Sequence, residues 1–175
     1  MSEILEVIQL GHPVLRSQAQ NVDNIHSPQV QSLIDNLLAT VIAANGVGIA
    51  APQVAVRDRL FIVASRPSPR YLNAPQMEPT AMINPQILAH SPELIIGWEG
   101  CLSIPGIRGL VPRYQAIEVQ YSDRTGKSHK QELTDFVARI FQHELDHLNG
   151  IVFVDRLQST QDLITEQEYQ KLHPI

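Results

Sequence analysis

Cysteine is almost missing from this chain of 175 residues; Cys101 is the only one. One thiol excludes an intramolecular disulfide, so the fold has to rest on a hydrophobic core, and the chain suits a reducing compartment. Positive charge is also scarce. Lys and Arg number 13 against 18 Asp and Glu, a net charge of −5, and no long basic run occurs, so nothing in the composition supports direct nucleic-acid binding. Long apolar runs are lacking as well. The most apolar region, 37–56, is interrupted by Asn45, Gly46, Gly48, Pro52 and Gln53, whereas a membrane-spanning helix needs about 20 predominantly apolar residues. Met1-Ser2-Glu3-Ile4-Leu5-Glu6 carries two acids before any apolar stretch and does not read as a secretory signal, so the expected location is cytoplasmic. With 43% hydrophobic residues, the chain can bury one substantial core. The expectation is a single domain over 1–175, with 158–175 as a polar tail.

What the chain does have is Gln142-His143-Glu144-Leu145-Asp146-His147. Positions i and i+4 share one face of a helix, so His143 and His147 can grip one metal ion while Glu144 reaches a water bound to it. The helix is supported by cap oxygens at Thr134 and Asp135, by apolar Val137, Ile140, Phe141, Leu145 and Leu148 near helical spacing, and by a stop at Asn149-Gly150. A lone histidine on such a helix is more often a core residue, but a full His-Glu-x-x-His set favours metal-assisted hydrolysis.

A catalytic site of this kind normally has three protein ligands and one open position. A further His six residues on, as in one metallopeptidase pattern, is excluded because that residue is Phe153. Glu166 and Glu168 are weaker candidates, since both lie in a stretch that reads as a solvated helix face. Cys101 is the better one: a thiolate binds borderline and soft divalent metals, and the glycines and prolines around it suit a close backbone approach.

Three motifs occur in order: Gly46-Val47-Gly48-Ile49-Ala50-Ala51-Pro52-Gln53, then Glu99-Gly100-Cys101-Leu102-Ser103, then the His-Glu-x-x-His segment running into Leu148-Asn149-Gly150. Together they resemble the peptide deformylases, over residues 8 to about 155. The resemblance implies metal ligands Cys101, His143 and His147, an acid/base Glu144, and oxyanion partners in the Gln53 side chain and the Leu102 backbone N–H. It further implies an N-formyl-methionyl peptide as substrate, formate as a product, peptide main-chain contacts at Val47, Gly48 and Gly100, and Fe²⁺ as the ion. The donor set by itself also accepts Zn²⁺, Ni²⁺ or Co²⁺. A methionine pocket should be apolar, with Val47, Ile49, Trp98, Ile140 and the His143 ring as walls. Arg139 is placed to reach the cleft mouth and a peptide carbonyl. Asp146 could orient a ligand imidazole or pair with Arg113 or Arg139. Nascent-chain processing also implies transient ribosome contact, for which Arg156 and Lys171 are thin support.

The expected fold class is α+β: short mixed or antiparallel strands around a long C-terminal helix carrying His143 and His147, plus an N-terminal helix over 28–44. Strands are expected at 59–64, 80–83, 116–121 and 127–133, with a turn at Asp123-Arg124-Thr125-Gly126. The segment 65–79 contains Pro67, Pro69, Pro75 and Pro79 and reads as a surface loop, long enough to trim a cleft rim. Two other readings compete: a metallopeptidase with Glu166 or Glu168 as third ligand, and a non-catalytic metal-stabilised binding module.

Overall fold

A computed structural model describes residues 2–68 and 71–173. Met1, Pro69 of the proline-rich segment and the last residues of the tail, 174–175, lie outside the described residues. Helix α1, Pro28–Ala43, begins where Ser27 accepts a hydrogen bond from the Val30 N–H and Pro28 takes the first turn. Its Val30, Leu33, Ile34, Leu37 and Val41 are buried at helical spacing, and Asn45, at φ 50°, turns the chain out of the helix.

Strands β1 (Gly48–Ala50), β2 (Leu60–Val63), β3 (Thr80–His90), β6 (Ala116–Ser122) and β7 (Ser128–Thr134) form one sheet in the order β1-β2-β3-β6-β7. Strands β4 (Leu94–Cys101), β5 (Ile104–Tyr114) and β8 (Leu163–Thr165) form a second, in the order β4-β5-β8. All pairings between these strands are antiparallel. The fold is thus mixed α and β with antiparallel sheets and, among the described residues, three α-helices.

Alternation along the first sheet divides the core. Ile49, Leu60, Ile62, Ala81 and Ile83 pack with α1, while Ala50, Phe61, Val63 and Met82 face the other way, onto helix α2, Asp135–Leu148. Phe61 meets Phe141 of α2 edge-on, with ring centroids 5.1 Å apart. A third cluster under β4 and β5 joins Cys101, Ile104, Val111, Val152 and Phe153.

The four expected strands are present, β3 running on to His90, and Asp123 closes the turn by accepting from the N–H groups of Thr125 and Lys127. Neither expected cap forms. Thr134 makes no side-chain cap, and Asp135, at φ 51°, instead accepts from the Gln115 amide and donates its N–H to the Gln115 carbonyl. The region 158–175 is also more than a solvated tail: β8 pairs with β5 at Ile107, Arg108 and Gly109 and leads into α3, Glu166–Leu172.

Candidate active site

Helix α2 presents His143, Glu144 and Ile140 to a cleft whose other side is the end of β4 and the chain from Gly46 to Gly48. Cys101 is the last residue of β4, just before the turn at Leu102 and Ser103, where Cys101 pairs with Ile104 after a register shift at Gly100. That bulge re-aims the thiol toward α2. One ligand atom each from Cys101, His143 and His147 lie within 4.8 Å of one another; Cys101 Sγ is 3.3 Å from His147 Nε2. A thiol and two imidazoles this close form a donor set for a borderline divalent metal.

Gln53, buried, is fixed by the Ala50 N–H, which donates to its Oε1 (2.9 Å). Its Nε2 then lies 3.2 Å from Ser103 Oγ and 3.5 Å from Cys101 Sγ, facing the thiol. Glu144 is buried, and its Oε2 has no hydrogen-bond partner. Burial pushes its carboxyl up to about 7, the range of a group that gives and takes protons at neutral pH. Gly48 makes room for it: a Cβ there would collide with Glu144 Oε1 and lie 2.9 Å from Ile140 Cγ2.

His143 is held by a buried ion network. Its Nδ1 lies 2.9 Å from Glu99 Oε2. Arg113 donates from Nε and Nη2 to Glu99 (2.9 and 3.0 Å) and from Nη1 to Asp146 (2.6 Å), and Arg139 Nη1 also reaches Glu99 (2.8 Å). Burial would raise the Glu99 carboxyl, but the Arg113 charge and the bonds from His143 and Arg113 outweigh it and hold it well below the usual carboxylate range. Burial likewise disfavours a proton on His143, yet hydrogen bonds to Cys101 and Glu99 push it well above the usual imidazole range. His147 goes the other way, lowered by burial and by the His143 charge.

Val47, Gly48, Gln53, Trp98, Gly100, Leu102, Arg139, Ile140, His143 and Glu144 all line the cleft. Ile49 does not: it is fully buried against α1, because strand alternation turns it away from its neighbours Gly48 and Ala50. Arg139 lines the cleft with its guanidinium donating to the carbonyls of Ile95, Gly97 and Val111, which straps α2 to β4 and β5. Asp146 takes Arg113 and Arg156, and Gln142 pins α2 to β5 through the N–H and C=O of Tyr114.

Gly46, Tyr71 and Phe136 line the cleft without having been picked out from sequence. Phe136 carried a readable signal, one turn before Ile140 on the same helix face. Tyr71 carried none beyond its place in the proline-rich segment, whose expected rim position it supports.

A buried carboxylate beside a thiol and two imidazoles, all opening on one cleft, defines a metal-dependent hydrolase. The comparisons with known proteins name the family. Residues 4–162 match the model of the polypeptide deformylase family. The chain is 67% identical over 170 residues to peptide deformylase 2 of a Nostoc species, covering 97% of this chain and 95% of that one. It is 45% identical to peptide deformylase 2 of Shewanella oneidensis, covering 94% and 90%. Among solved structures, a class I type b peptide deformylase from Acinetobacter baumannii with bound Met-Ala-Ser superposes with a TM-score of 0.87 at 46% identity, covering 90% of this chain and all of that one. A peptide deformylase from Synechococcus elongatus in complex with actinonin gives 0.80 at 36% identity, covering 90% and 81%. The chain belongs to the polypeptide deformylase family. It is an enzyme that removes the N-formyl group from nascent peptides, in a family whose chemistry depends on a metal.

Proposed function

We propose that Cys101, His143 and His147 hold one divalent ion, with Glu144 as acid and base and with Gln53 Nε2 and the Leu102 N–H as partners of the formyl oxygen. The observation that carries this reading is the placing of an unpartnered Glu144 carboxyl, at about 7, beside the Cys101-His143-His147 cluster. One thiolate with two imidazoles suits Fe²⁺, our choice for the cell, and also accepts Zn²⁺, Ni²⁺ or Co²⁺. Such an ion, when bound, acidifies a water and polarises a carbonyl.

The residues then have distinct tasks. Glu144 takes a proton from the water that attacks the formyl carbon, holds it in a dry pocket, and gives it to the nitrogen as the C–N bond breaks and formate leaves. Gln53 and the Leu102 N–H are donors aimed where negative charge gathers on the formyl oxygen, a role commonly worth roughly 3 kcal/mol per donor. Glu99, anchored by Arg113, fixes the His143 ring so that its other nitrogen points at the cluster. Val47, Gly48 and Gly100 offer main chain to an extended formyl-methionyl peptide. Trp98, Ile140 and the His143 ring wall the methionine pocket, and Arg139 borders its mouth. The Acinetobacter relative with bound Met-Ala-Ser supports that pose.

We read the chain as one catalytic domain, with its strands grouped around α2, working in the cytoplasm in transient contact with ribosomes. No helix of the described residues is long and apolar enough to cross a membrane. Glu166, the rival third ligand, is engaged with Arg108 instead. The test pairs Cys101→Ser with Glu166→Gln and measures metal content and formate release. Loss of the ion in the first variant alone supports the assignment; loss in the second alone transfers the site to the peptidase alternative.

A further inference from the structure

Three segments remote in sequence meet at one guanidinium on the cleft rim. Arg108 of β5 is only 1% exposed and donates from Nε and Nη2 to the two carboxylate oxygens of Glu166 (2.6 and 3.1 Å). Its guanidinium carbon lies 4.2 Å from the centroid of Tyr169 in α3 and 5.5 Å from that of Tyr71. Its Nη1 is buried without a hydrogen-bond partner, so the ring faces are what surround that end of the charge. Tyr169 in turn meets Trp98 edge-on, with centroids 5.5 Å apart. Trp98 and Tyr71 line the cleft, and β8, paired to β5, delivers α3 to this position.

The distance along β4 says what lies opposite this assembly. Trp98 precedes Cys101 by three residues, about 10 Å at strand spacing. An extended peptide advances at the same rate, so a chain with its formyl carbon at the metal cluster reaches Trp98 with about its third residue. Trp98 and Tyr169 are both only half-buried, leaving ring surface for a ligand to cover. The Arg108 charge is already matched by Glu166, so the surface offered is aromatic and uncharged.

We propose that Trp98 and Tyr169 form a platform for an apolar or aromatic side chain at the third position of the formyl peptide, with Arg108 as the residue that positions it. This inference rests on the deformylase reading of the same cleft. It gives β8 and α3 a part in substrate choice, and it makes the cleft wall a joint product of β4, the proline-rich segment and the C-terminal segment.

The experiment compares kcat/KM for formate release from formyl-Met-Ala-Phe and formyl-Met-Ala-Gly in the metal-loaded full chain, Tyr169→Ala, Tyr169→Phe and Arg108→Met. The unaltered chain should prefer the Phe peptide by about fivefold, through KM, as one aromatic contact allows. The preference should fall to about one in Tyr169→Ala and in Arg108→Met and persist in Tyr169→Phe. Damage to the fold lowers both peptides together and leaves the ratio intact, so a ratio that persists in Tyr169→Ala overturns the proposal, as does an unaltered chain that shows no preference. Tyr169 is partly exposed, and its variants keep the test open if Arg108→Met fails to fold. Absence of formate from every peptide, formyl-Met-Ala included, brings down the deformylase reading itself and the platform with it.

Discussion

Glu144 is the residue on which most of the chemistry turns, and its environment makes two separable predictions. Glu144→Gln keeps size but loses the proton carrier, and formate release should fall about 100- to 10,000-fold while the metal is retained. The folded chain also favours the protonated form of Glu144, whose pKa rises by burial from the ordinary 4.5 to about 7. Its cost to stability is therefore absent below pH 4.5, grows as pH rises through about 7, and is constant above. Metal-free Glu144→Gln should match the parent in thermal melts near pH 4 and exceed it at pH 8, by at most roughly 3 kcal/mol for a difference of this size. Equal melting at both pH values would show that the carboxyl is not desolvated. Gly48→Ala tests the same pocket from the other side: its Cβ meets the Glu144 carboxyl and Ile140, so activity should drop at least tenfold, in kcat more than in KM. How far such roles can be read from residues alone varies. Glu144 was legible because an i, i+4 histidine pair sets its position, and Gln53 because of its motif. Ile49 was misread as a pocket wall because a motif does not say which strand face a residue takes; three-residue β1, packed between two core clusters, decides that.

The helices show how evenly local signals work at the scale of elements. Helix α1 was legible from cap, proline and periodicity, whereas the ends of α2 were half legible, since Gly150 stops it at φ 73° but no side chain caps its start. Strands β4 and β5 were not legible as strands. β5 contains Pro105, Gly106, Gly109 and Pro112, which locally argue against a ladder position. The structure accommodates them: Pro105 and Gly106 fall in the bulge after Gly100, and Pro112 lies beyond the stretch paired to β8. The Glu99-Arg113-Asp146 network was invisible for the same reason, because it exists only once β4, β5 and α2 pack together. It yields a prediction at this scale. Glu99→Gln weakens the hold on His143 and should reduce Co²⁺ affinity about 10- to 100-fold, read by absorption titration. Arg113→Met strands two buried carboxylates and should destabilise the chain by roughly 3 to 5 kcal/mol in denaturant melts. Unchanged affinity in Glu99→Gln would make the network a packing device alone.

As a whole molecule, the chain brings together a thiolate from one sheet, two imidazoles and a carboxylate from a helix, and an amide from the loop after β1. None of these pieces is a site alone, and the two sheets are the frame that closes them on one cleft. The proline-rich segment belongs to this scale too, since Tyr71 reaches the cleft from it; deleting its middle should alter the relative kcat/KM of formyl peptides, and unchanged ratios would leave it as a connector. The measurement that bears most directly on the account is formate release from a short formyl-Met peptide by protein purified without oxygen and loaded with Fe²⁺ or Ni²⁺, with Glu144→Gln assayed beside it at equal metal content. The expected result is rapid release by the parent chain and almost none by the variant. Metal bound at Cys101, His143 and His147 with no formate from the parent, or equal formate from both proteins, would contradict it.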